Sequence, residues 1–322
     1  MRETIPGTLQ VDQSGQLKHL LTIEGLSESH IVNILDLAET FFCPKTEQIL
    51  QSDRLKGKTV ANLFFEPSTR TRSTFELAAK RLSADVLTLN IAHSSTAKGE
   101  SLGDTLRSIE AMQCQVINIR HPQNGAAQFA ATQVKPETCI INAGDGCHAH
   151  PTQALLDMFT IRKHRGDFKN LTVAIIGDIK HSRVARSQIH ALKILGTKEI
   201  RIIAPRMLLP AEEELLGIPV FTDLAKGLQD VDVIITLRIQ KERMQEALFP
   251  DEVDYYRQYG LTEDTVKYAH PEALIMHPGP MNRGIEIQSE VADGPNSVIL
   301  KQVTYGLAIR MAVMSLLMAQ RS

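Results

Sequence analysis

Short apolar runs alternate with helix-like patterns along most of the chain. In the first half, the runs that predict strands are residues 60–65, 86–90, 115–119 and 139–142. In the second half, they are residues 171–176, 199–203, 231–236 and 273–276. Most of these runs are continuously apolar, which is typical of parallel strands covered on both faces. The alternation predicts an α/β protein of two domains, each a mostly parallel sheet with helices on both faces.

Two longer helical patterns bear on how the domains are connected. Residues 150–163 predict a helix that links the two halves, with Leu155, Met158 and Phe159 on its apolar side. Residues 305–319 are apolar nearly all round, so we expect a buried helix there. Periodicity alone leaves open which half that helix packs against.

The first candidate ligand-binding segment is the turn formed by residues 65–72, with the sequence Phe-Glu-Pro-Ser-Thr-Arg-Thr-Arg. Pro67 ends the preceding strand, and Ser68 is a favourable N-cap for a helix whose buried face begins at Phe75. Hydroxyl and guanidinium groups thus gather where backbone N–H groups lack helical partners, which favours a phosphate. The alternative is an exposed basic turn, but hydroxyls that alternate with arginines serve a phosphate better than water.

Polar residues also follow the other predicted strands, at the edge where open α/β sheets bind ligands. In the first half these are Arg120, His121, Gly144-Asp145-Gly146 and His150-Pro151-Thr152-Gln153. In the second half they are Gly177-Asp178, Arg183, Arg238, Gln240 and His277-Pro278-Gly279-Pro280. So many polar loops at one edge of two sheets predict a ligand-binding cleft.

Composition narrows the class of protein. Of the 322 residues, 43% are hydrophobic and 22% are charged, as in an ordinary globular protein. The net charge of -2 gives no indication of nucleic-acid or membrane binding. No apolar run approaches the ~20 residues of a membrane span, and the first residues show no signal-peptide pattern, so we expect a cytoplasmic protein. The four cysteines are scattered without a C-x-x-C pair, so we expect neither zinc nor disulfides.

Several common catalytic motifs are missing from the chain. It has no Ser-His-Asp arrangement in a nucleophile elbow, no H-E-x-x-H and no P-loop, so we expect no metal, cofactor or covalent intermediate. The donors that remain are Arg70, Thr71, Arg72, Arg120 and His150. They suit a reaction in which negative charge develops on a carbonyl oxygen and on a departing phosphate.

Residues 68–72, Ser-Thr-Arg-Thr-Arg, resemble the carbamoyl-phosphate motif of the aspartate and ornithine carbamoyltransferase family. The resemblance continues in order through residues 98–100, 120–122, 150–153, 177–178, 238–243 and 277–280. It implies a carbamoyl-phosphate-binding domain of residues 1–149 and 299–322, and an aspartate-binding domain of residues 150–298. It also implies transfer of the carbamoyl group from carbamoyl phosphate to the α-amine of L-aspartate, in pyrimidine biosynthesis.

Two loops favour aspartate over ornithine as the acceptor. Arg238 and Gln240 match the arginine and glutamine that bind aspartate in the family, and an arginine suits a second substrate carboxylate. Ornithine enzymes typically carry His-Cys-Leu-Pro where this chain has His-Pro-Gly-Pro at 277–280, and the chain has no Ser-Met-Gly segment. Gly279 departs from the leucine of some aspartate enzymes. An enzyme that uses ornithine or a related amine is the alternative.

The resemblance implies a role for each matched residue. The phosphate would be held by Ser68, Thr69, Arg70, Thr71, Arg72 and Arg120. The carbamoyl oxygen would be polarised by Thr71, Arg120 and His150, and the carbamoyl NH2 group would be bound by Gln153 and the loop of Pro278, Gly279 and Pro280. The carboxylates of aspartate would be bound by Arg183, Arg238 and Gln240. Arg70 and Lys98 would join Thr71, Arg120 and His150 as catalytic residues.

The resemblance also implies partners. Ser94 and Lys98 match a loop that enters the active site of a neighbouring subunit, which implies a homotrimer with shared active sites. A regulatory chain, a dihydroorotase partner and a trimer that stands alone all stay open. So do ordinary structural interpretations, in which Ser94 and Lys98 lie on an exposed loop, His150 merely starts a helix and Arg183 lies on a helix surface.

Two other functions are supported less well by the sequence than carbamoyl transfer is. A dehydrogenase is suggested by the strand at 171–176, but the turn at 177–180 reads Gly-Asp-Ile-Lys rather than G-x-G-x-x-G. The next strand ends at Ala204-Pro205 rather than at a ribose-binding acid. A catalytically silent scaffold is the other rival, but the phosphate-site residues and His150 are all present.

Overall fold

The computed structural model describes residues 9–90, 100–240 and 251–319. Its strands are β1 Phe42–Cys43, β2 Gln48–Ile49, β3 Thr59–Phe64, β4 Asp85–Asn90, β5 Cys114–His121, β6 Cys139–Asp145, β7 Thr172–Ile176, β8 Glu199–Ile203, β9 Val220–Phe221, β10 Val233–Thr236 and β11 Leu274–Met276. Its α-helices are α1 Glu28–Thr40, α2 Thr69–Arg81, α3 Leu102–Ala111, α4 Ala126–Gln133, α5 Pro151–Arg165, α6 Arg183–Ile194, α7 Leu224–Leu228, α8 Glu252–Tyr259, α9 Ser289–Ala292 and α10 Ile299–Ala319. Short 3₁₀ helices occupy Arg206–Leu208, Glu212–Leu215 and Thr265–Tyr268.

The chain divides into two compact units. Unit 1 comprises Met1–Phe159 and Val303–Ser322, and unit 2 comprises Thr160–Gln302. The chain passes from unit 1 to unit 2 within α5 and returns within α10. The boundaries expected from the sequence, 149/150 and 298/299, lie just before these two helices, whereas the units divide inside them.

The sheet of unit 1 is parallel and has the strand order β4-β3-β5-β6. Most residues of β3, β5 and β6 are buried, and most of those buried residues are apolar, as is typical of parallel strands covered on both faces. On one face, Leu63 of β3 and Ile117 of β5 belong to one buried cluster with Leu106 of α3 and Ala130 of α4. The small antiparallel ribbon of β1 and β2 also lies in this unit.

The sheet of unit 2 is also parallel and has the strand order β11-β10-β7-β8-β9. Its central strands β7 and β10 are buried throughout. Helix α6, which connects β7 to β8, buries an apolar face that includes Ile189 and Leu192. The protein is therefore an α/β fold of two parallel sheets flanked by helices, as the sequence predicts.

All eight strands predicted from apolar runs are present, and their ends differ from the prediction by at most three residues. The helices predicted after Ser68 and at 150–163 are present as α2 and α5. Strands β1, β2 and β9 were missed, since each is two residues long and too short to carry a hydrophobic pattern.

The expectation that no segment approaches a membrane span is wrong for one described helix. By length and composition, α10 could cross a membrane, with a mean hydropathy of 1.3 over its most apolar stretch. However, 72% of that stretch is buried inside the protein. The helix is thus apolar nearly all round because it packs in a core, as the sequence predicts for 305–319.

One glycine is required by the way two loops of unit 2 meet. Gly177 follows β7 with a φ of +121°, which L side chains rarely adopt. A Cβ atom there would lie 2.5 Å from the carbonyl oxygen of Leu237, the residue that follows the neighbouring strand β10. The two loops therefore touch through their backbones, and any side chain at Gly177 would push them apart.

We predict that Gly177→Ala lowers the urea midpoint of unit 2 much more than Gly196→Ala does. Gly196 also has a positive φ, +71°, but a Cβ there would meet nothing within 4 Å. Gly196→Ala should lower the free energy of unfolding by about 1–2 kcal/mol because of its left-handed backbone alone. At Gly177 the backbone clash should lower it by at least about 2 kcal/mol more. Equal midpoints for the two variants in chemical denaturation would contradict this explanation.

Candidate functional site

The strand order of unit 1 creates a crevice between β3 and β5. The chain leaves β3 for β4 on one side and then continues with β5 and β6 on the other side. At such a reversal, the connections leave the carboxyl ends of the two central strands in opposite directions and open a binding crevice between them. Helix α2 begins directly after β3, so its N-terminus lies at this point.

The start of α2 has the features of an anion site. Ser68 occupies the N-cap position with extended backbone, but its hydroxyl makes no capping hydrogen bond. Thr71 is buried in the first turn, while Thr69, Arg70 and Arg72 are exposed. The first N–H groups of a helix have no helical acceptors and carry positive partial charge, so backbone and side chains together favour a bound anion.

Arg120 lies near the end of β5 and links the loops on either side of it. Its Nε lies 3.3 Å from Oε2 of Glu66, in the loop after β3, and its side chain is only 14% exposed. Its Nη1 donates to the carbonyl of Ala143 on β6 at 3.2 Å. The backbone carbonyl of Arg120 also accepts from the N–H of Phe65 at 2.8 Å. The guanidinium is thus held on the β5 side of the crevice.

His121 follows Arg120 and is the less suitable of the two for holding an anion. Its ring packs against Phe65 in a tilted arrangement, with 4.7 Å between the ring centroids and 58° between the ring planes, and its Nδ1 accepts from the N–H of Gln123. Burial lowers the pKa of His121, although the charges of Glu66 and Asp145 act in the opposite direction. A neutral imidazole here adds no positive charge to the crevice at neutral pH.

Asp145 organises the loop that delivers His150. Its carboxylate accepts from Nδ2 of Asn142 at 2.8 Å, from the N–H of Gly125 at 2.7 Å and from the N–H of Ala149 at 3.1 Å. Burial alone would raise the pKa of Asp145, but hydrogen bonds from His148, Asn142 and Gly125 hold it below its ordinary value. A buried carboxylate with this many donors fixes the 145–149 turn that leads into α5.

His150 and Gln153 lie together at the start of α5. His150 is buried, and its carbonyl accepts from the N–H of Gln153 at 3.1 Å, which closes the first turn. Gln153 is also buried, and its Nε2 donates to Oδ1 of Asp157 at 3.0 Å. Unit 1 therefore brings a helix start, a guanidinium and a second helix start to the same edge of one sheet.

Unit 2 repeats the arrangement at the reversal between β7 and β10. Asp178 follows β7 and is fully buried. Its Oδ1 accepts from Nδ1 of His181 at 2.9 Å, and its Oδ2 accepts from the backbone N–H of Gln240 at 3.0 Å. One carboxylate thus ties the loop after β7 to the loop after β10.

The predicted carboxylate-binding residues of unit 2 lie on these two loops. Arg183 is the first residue of α6 and is 5% exposed, and the N-cap Ser182 accepts from the N–H of Ala185. Arg238 and Gln240 follow β10 and are half-buried, with Nη2 of Arg238 lying 3.4 Å from Oε1 of Gln240. Guanidinium and amide donors at one edge of a sheet suit a carboxylate ligand.

The loop after β11 carries Pro278, Gly279 and Pro280, and His277 braces it. Nδ1 of His277 accepts from the N–H of Gly279 at 2.8 Å, so Nε2 carries the proton of the neutral ring and faces Oε1 of Glu286 at 3.2 Å. His277 and Glu286 are both buried. Gly279 has a φ of +68°, and the Gly279–Pro280 peptide bond is cis. Glycine adopts this left-handed backbone without strain, which suits the position where some aspartate enzymes have leucine.

Two predicted residues, Ser94 and Lys98, lie outside the described residues. In residues 9–90, 100–240 and 251–319, no group of three or more His, Cys, Asp or Glu side chains could hold a metal ion. The acidic partners Glu66, Asp145, Asp178 and Glu286 received no role from the sequence. Glu66, Asp145 and Asp178 lie within or beside the polar motifs that follow the strands, and this position is the feature by which the sequence could have indicated a supporting role.

The two halves of the chain match two family models. Residues 18–163 match the model described as aspartate/ornithine carbamoyltransferase, carbamoyl-P binding domain. Residues 169–317 match the model described as aspartate/ornithine carbamoyltransferase, Asp/Orn binding domain. Each model covers one of the two sets of polar loops described above.

Solved structures resemble the chain over nearly its whole length. Aspartate transcarbamoylase from Trypanosoma cruzi, in complex with carbamoyl aspartate and phosphate, is 29% identical with a TM-score of 0.83, covering 98% of this chain and 99% of that one. The same enzyme with N-(phosphonacetyl)-L-aspartic acid is 29% identical with a TM-score of 0.81, covering 95% and 98%. Ornithine carbamoyltransferase from Pyrococcus furiosus is 28% identical with a TM-score of 0.84, covering 94% and 97%.

These similar structures include an enzyme named for aspartate and one named for ornithine, so the similarities identify carbamoyl transfer without selecting the amine substrate. Carbamoyl phosphate and an amino acid are the substrates that the two matched domains bind. The chain is a carbamoyltransferase and belongs to the aspartate/ornithine carbamoyltransferase family.

Proposed function

We propose that the chain is an aspartate carbamoyltransferase, which transfers the carbamoyl group of carbamoyl phosphate to the α-amine of L-aspartate. The products would be N-carbamoyl-L-aspartate and phosphate, in pyrimidine biosynthesis. The observation that carries the choice of amine is the pairing of Arg238 with Gln240 at the end of β10, 3.4 Å apart. A guanidinium beside an amide suits the side-chain carboxylate of aspartate, whereas the side-chain ammonium of ornithine would be repelled.

In this proposal, carbamoyl phosphate binds at the reversal between β3 and β5. The phosphate accepts hydrogen bonds from the start of α2, through Ser68, Thr69, Arg70, Thr71 and Arg72. Arg120 contributes a further positive charge from the β5 side, held there by Glu66. Because the phosphate is also the leaving group, the same donors stabilise the charge that it gains as the C–O bond breaks.

The carbamoyl group itself would be oriented from α5. His150, Thr71 and Arg120 would donate to its oxygen, where negative charge develops in the tetrahedral intermediate. Gln153 and the carbonyls of the loop of Pro278, Gly279 and Pro280 would accept from its NH2 group. His150 needs only to donate a hydrogen bond, so a neutral imidazole performs this role.

The amino-acid substrate would bind on the loops of unit 2. Arg183 and Arg238 would each bind one carboxylate of aspartate, and Gln240 would assist Arg238. Asp178 supports this site because it accepts from the N–H of Gln240, which fixes the backbone that carries both residues. The neutral α-amine would then attack the carbamoyl carbon, and the departing phosphate would accept the amine proton, since no described carboxylate is assigned as the base.

We also propose that the enzyme is a cytoplasmic homotrimer with shared active sites. In the family motif, Ser94 and Lys98 reach a neighbouring subunit's site, and this chain has both residues. Lys98 would add a positive charge to the phosphate of the neighbouring site. An isolated chain would then lack part of its catalytic machinery, which makes assembly a condition of activity.

A product assay tests the choice of amine. We expect carbamoyl phosphate and L-aspartate to give N-carbamoyl-L-aspartate, and L-ornithine to give citrulline at less than about 1% of that rate, because a site built for a carboxylate rejects an ammonium strongly. Both products can be quantified by mass spectrometry in one reaction series with a panel of amines. Citrulline as the main product would contradict the aspartate assignment while leaving carbamoyl transfer intact.

The roles of Arg70 and His150 are tested by steady-state kinetics. We expect Arg70→Ala and His150→Ala each to lower turnover with carbamoyl phosphate and aspartate by about a hundredfold or more, since each removes a donor to charge that develops in the transition state. Arg257→Ala, at a side chain that is 72% exposed in unit 2, should leave turnover unchanged. A loss of less than about tenfold in the site variants, below ~1.4 kcal/mol, would contradict the assignment.

Mixing two inactive variants tests the shared site. If Lys98 and His150 of one active site come from different subunits, then a denatured and refolded equal mixture of Lys98→Ala and His150→Ala chains contains mixed trimers with one intact site each. Random assembly should restore about a quarter of the wild-type activity. Activity no greater than the sum of the two variants refolded separately would exclude sharing, and sedimentation would report the subunit number directly.

A further inference from the structure

Gln153 has an acidic neighbour that the proposed reaction leaves unexplained. Its side chain is buried in the first turn of α5, and Asp157 lies one turn further along the same helix and is fully buried. Nε2 of Gln153 donates to Oδ1 of Asp157 at 3.0 Å. Both residues lie within unit 1, together with the start of α2.

The contact with Asp157 determines which end of the Gln153 amide is available to a ligand. A carboxylate can only accept hydrogen bonds, whereas a glutamine amide has one accepting oxygen and one donating NH2 group. The NH2 group must therefore face Asp157, and Oε1 is turned away from it. In this orientation, Gln153 offers Oε1 as an acceptor. A ligand donor can bind there, whereas a ligand acceptor would be repelled.

Arg310 of α10 supports the charged form of Asp157. The Arg310 side chain is buried, with Nη1 donating to the carbonyl of Gly306 at 2.9 Å. Burial lowers the pKa of Arg310 to about 10, while the charge of Asp157 acts in the opposite direction. That attraction is mutual, so the guanidinium favours the carboxylate form of Asp157, which is the form that can only accept.

Arg310 also contacts the helix that carries the proposed phosphate site. Its guanidinium carbon lies 4.9 Å from the centre of the Phe75 ring, within the range of a cation–π contact. Phe75 is buried on α2, about one turn beyond Arg70 and Thr71. Gln153 is thus hydrogen-bonded to Asp157, Asp157 interacts electrostatically with Arg310, and Arg310 contacts Phe75 of α2.

We propose that Asp157 is a positioning residue that holds the Gln153 amide with Oε1 towards the substrate NH2 group, so that the site selects a carbamoyl over an acyl phosphate. This inference rests on the proposed function, in which Gln153 accepts from that NH2 group. If the amide turned over, its N–H groups would face the N–H groups of the substrate, and a hydrogen bond would become a repulsive contact. A methyl group in place of NH2 offers no donor and is insensitive to this orientation.

A purely structural role for Asp157 makes a different prediction. An i, i+4 pair that only stabilised α5 would, when broken, weaken the binding of every ligand of this site alike. Positioning of the amide instead weakens only those ligands that carry an NH2 group. Two ligands that differ in that group alone therefore separate the two roles.

The test uses phosphonoacetamide and 2-oxopropylphosphonate, which carry NH2 and CH3 respectively at the same carbonyl. Their affinities for the intact oligomer are measured by calorimetry. We expect the wild-type protein to prefer the amide, and Asp157→Asn and Asp157→Ala to lower that preference by about fivefold to tenfold. Affinity for the methyl ligand should stay within about twofold, which shows at the same time that each variant is folded and keeps its phosphate site. Asp53→Asn is the matched control, an exposed carboxylate of unit 1 that accepts from Ser83.

Gln153→Ala separates failure of this inference from failure of the proposed function. If Gln153→Ala abolishes the preference for NH2 while both Asp157 variants retain it, the positioning role is wrong and the role of Gln153 stands. If Gln153→Ala itself retains the preference, then Gln153 does not read the NH2 group and both assignments are wrong. Equal weakening of the two ligands in the Asp157 variants would leave only a structural role and would also overturn the inference.

Discussion

The reversal of strand order within each parallel sheet is the constraint on which the site depends. It falls between β3 and β5 in unit 1 and between β7 and β10 in unit 2. At a reversal, the loops leave neighbouring strands in opposite directions, so backbone N–H groups and side chains at the strand ends stay accessible to a ligand. The helix start of α2 lies at the first reversal, and Arg238 follows β10 at the second. The same geometry thus places the proposed phosphate donors of one unit and the proposed carboxylate donors of the other at the ends of adjacent strands.

Carboxylates hold these loops in place, and two of them, Asp145 and Asp178, are buried. Glu66 holds Arg120, Asp145 holds the turn before His150, and Asp178 joins two loops through His181 and the N–H of Gln240. A buried charge is costly unless several donors surround it. The depressed pKa of Asp145 shows that its donors outweigh its burial. The residues proposed to bind ligands are therefore positioned by acidic side chains that need not touch the ligand.

The fold was predictable from the sequence to a larger extent than the site. Parallel strands buried on both faces are continuous apolar runs, so eight of them could be recognised, whereas two-residue strands such as β9 carry no pattern. Donors such as Arg70 and His150 could be proposed from residue type and from their place after a strand. Their partners could not, because Gln240 and Asp178 are 62 residues apart and meet only when β7 and β10 pair. The surroundings of Arg310 could not be predicted either, because this arginine of the apolar helix α10 contacts Phe75, which is distant in the sequence.

A crystal structure with phosphonoacetamide and succinate, an unreactive dicarboxylate, would show whether the two strand reversals bind the two substrates. We expect the phosphonate at the start of α2, within hydrogen-bond distance of residues 68–72 and Arg120, with the amide NH2 group facing Oε1 of Gln153. We also expect the succinate carboxylates on Arg183 and Arg238. Phosphonate density away from the reversal between β3 and β5, or succinate density away from the loops after β7 and β10, would contradict this expectation.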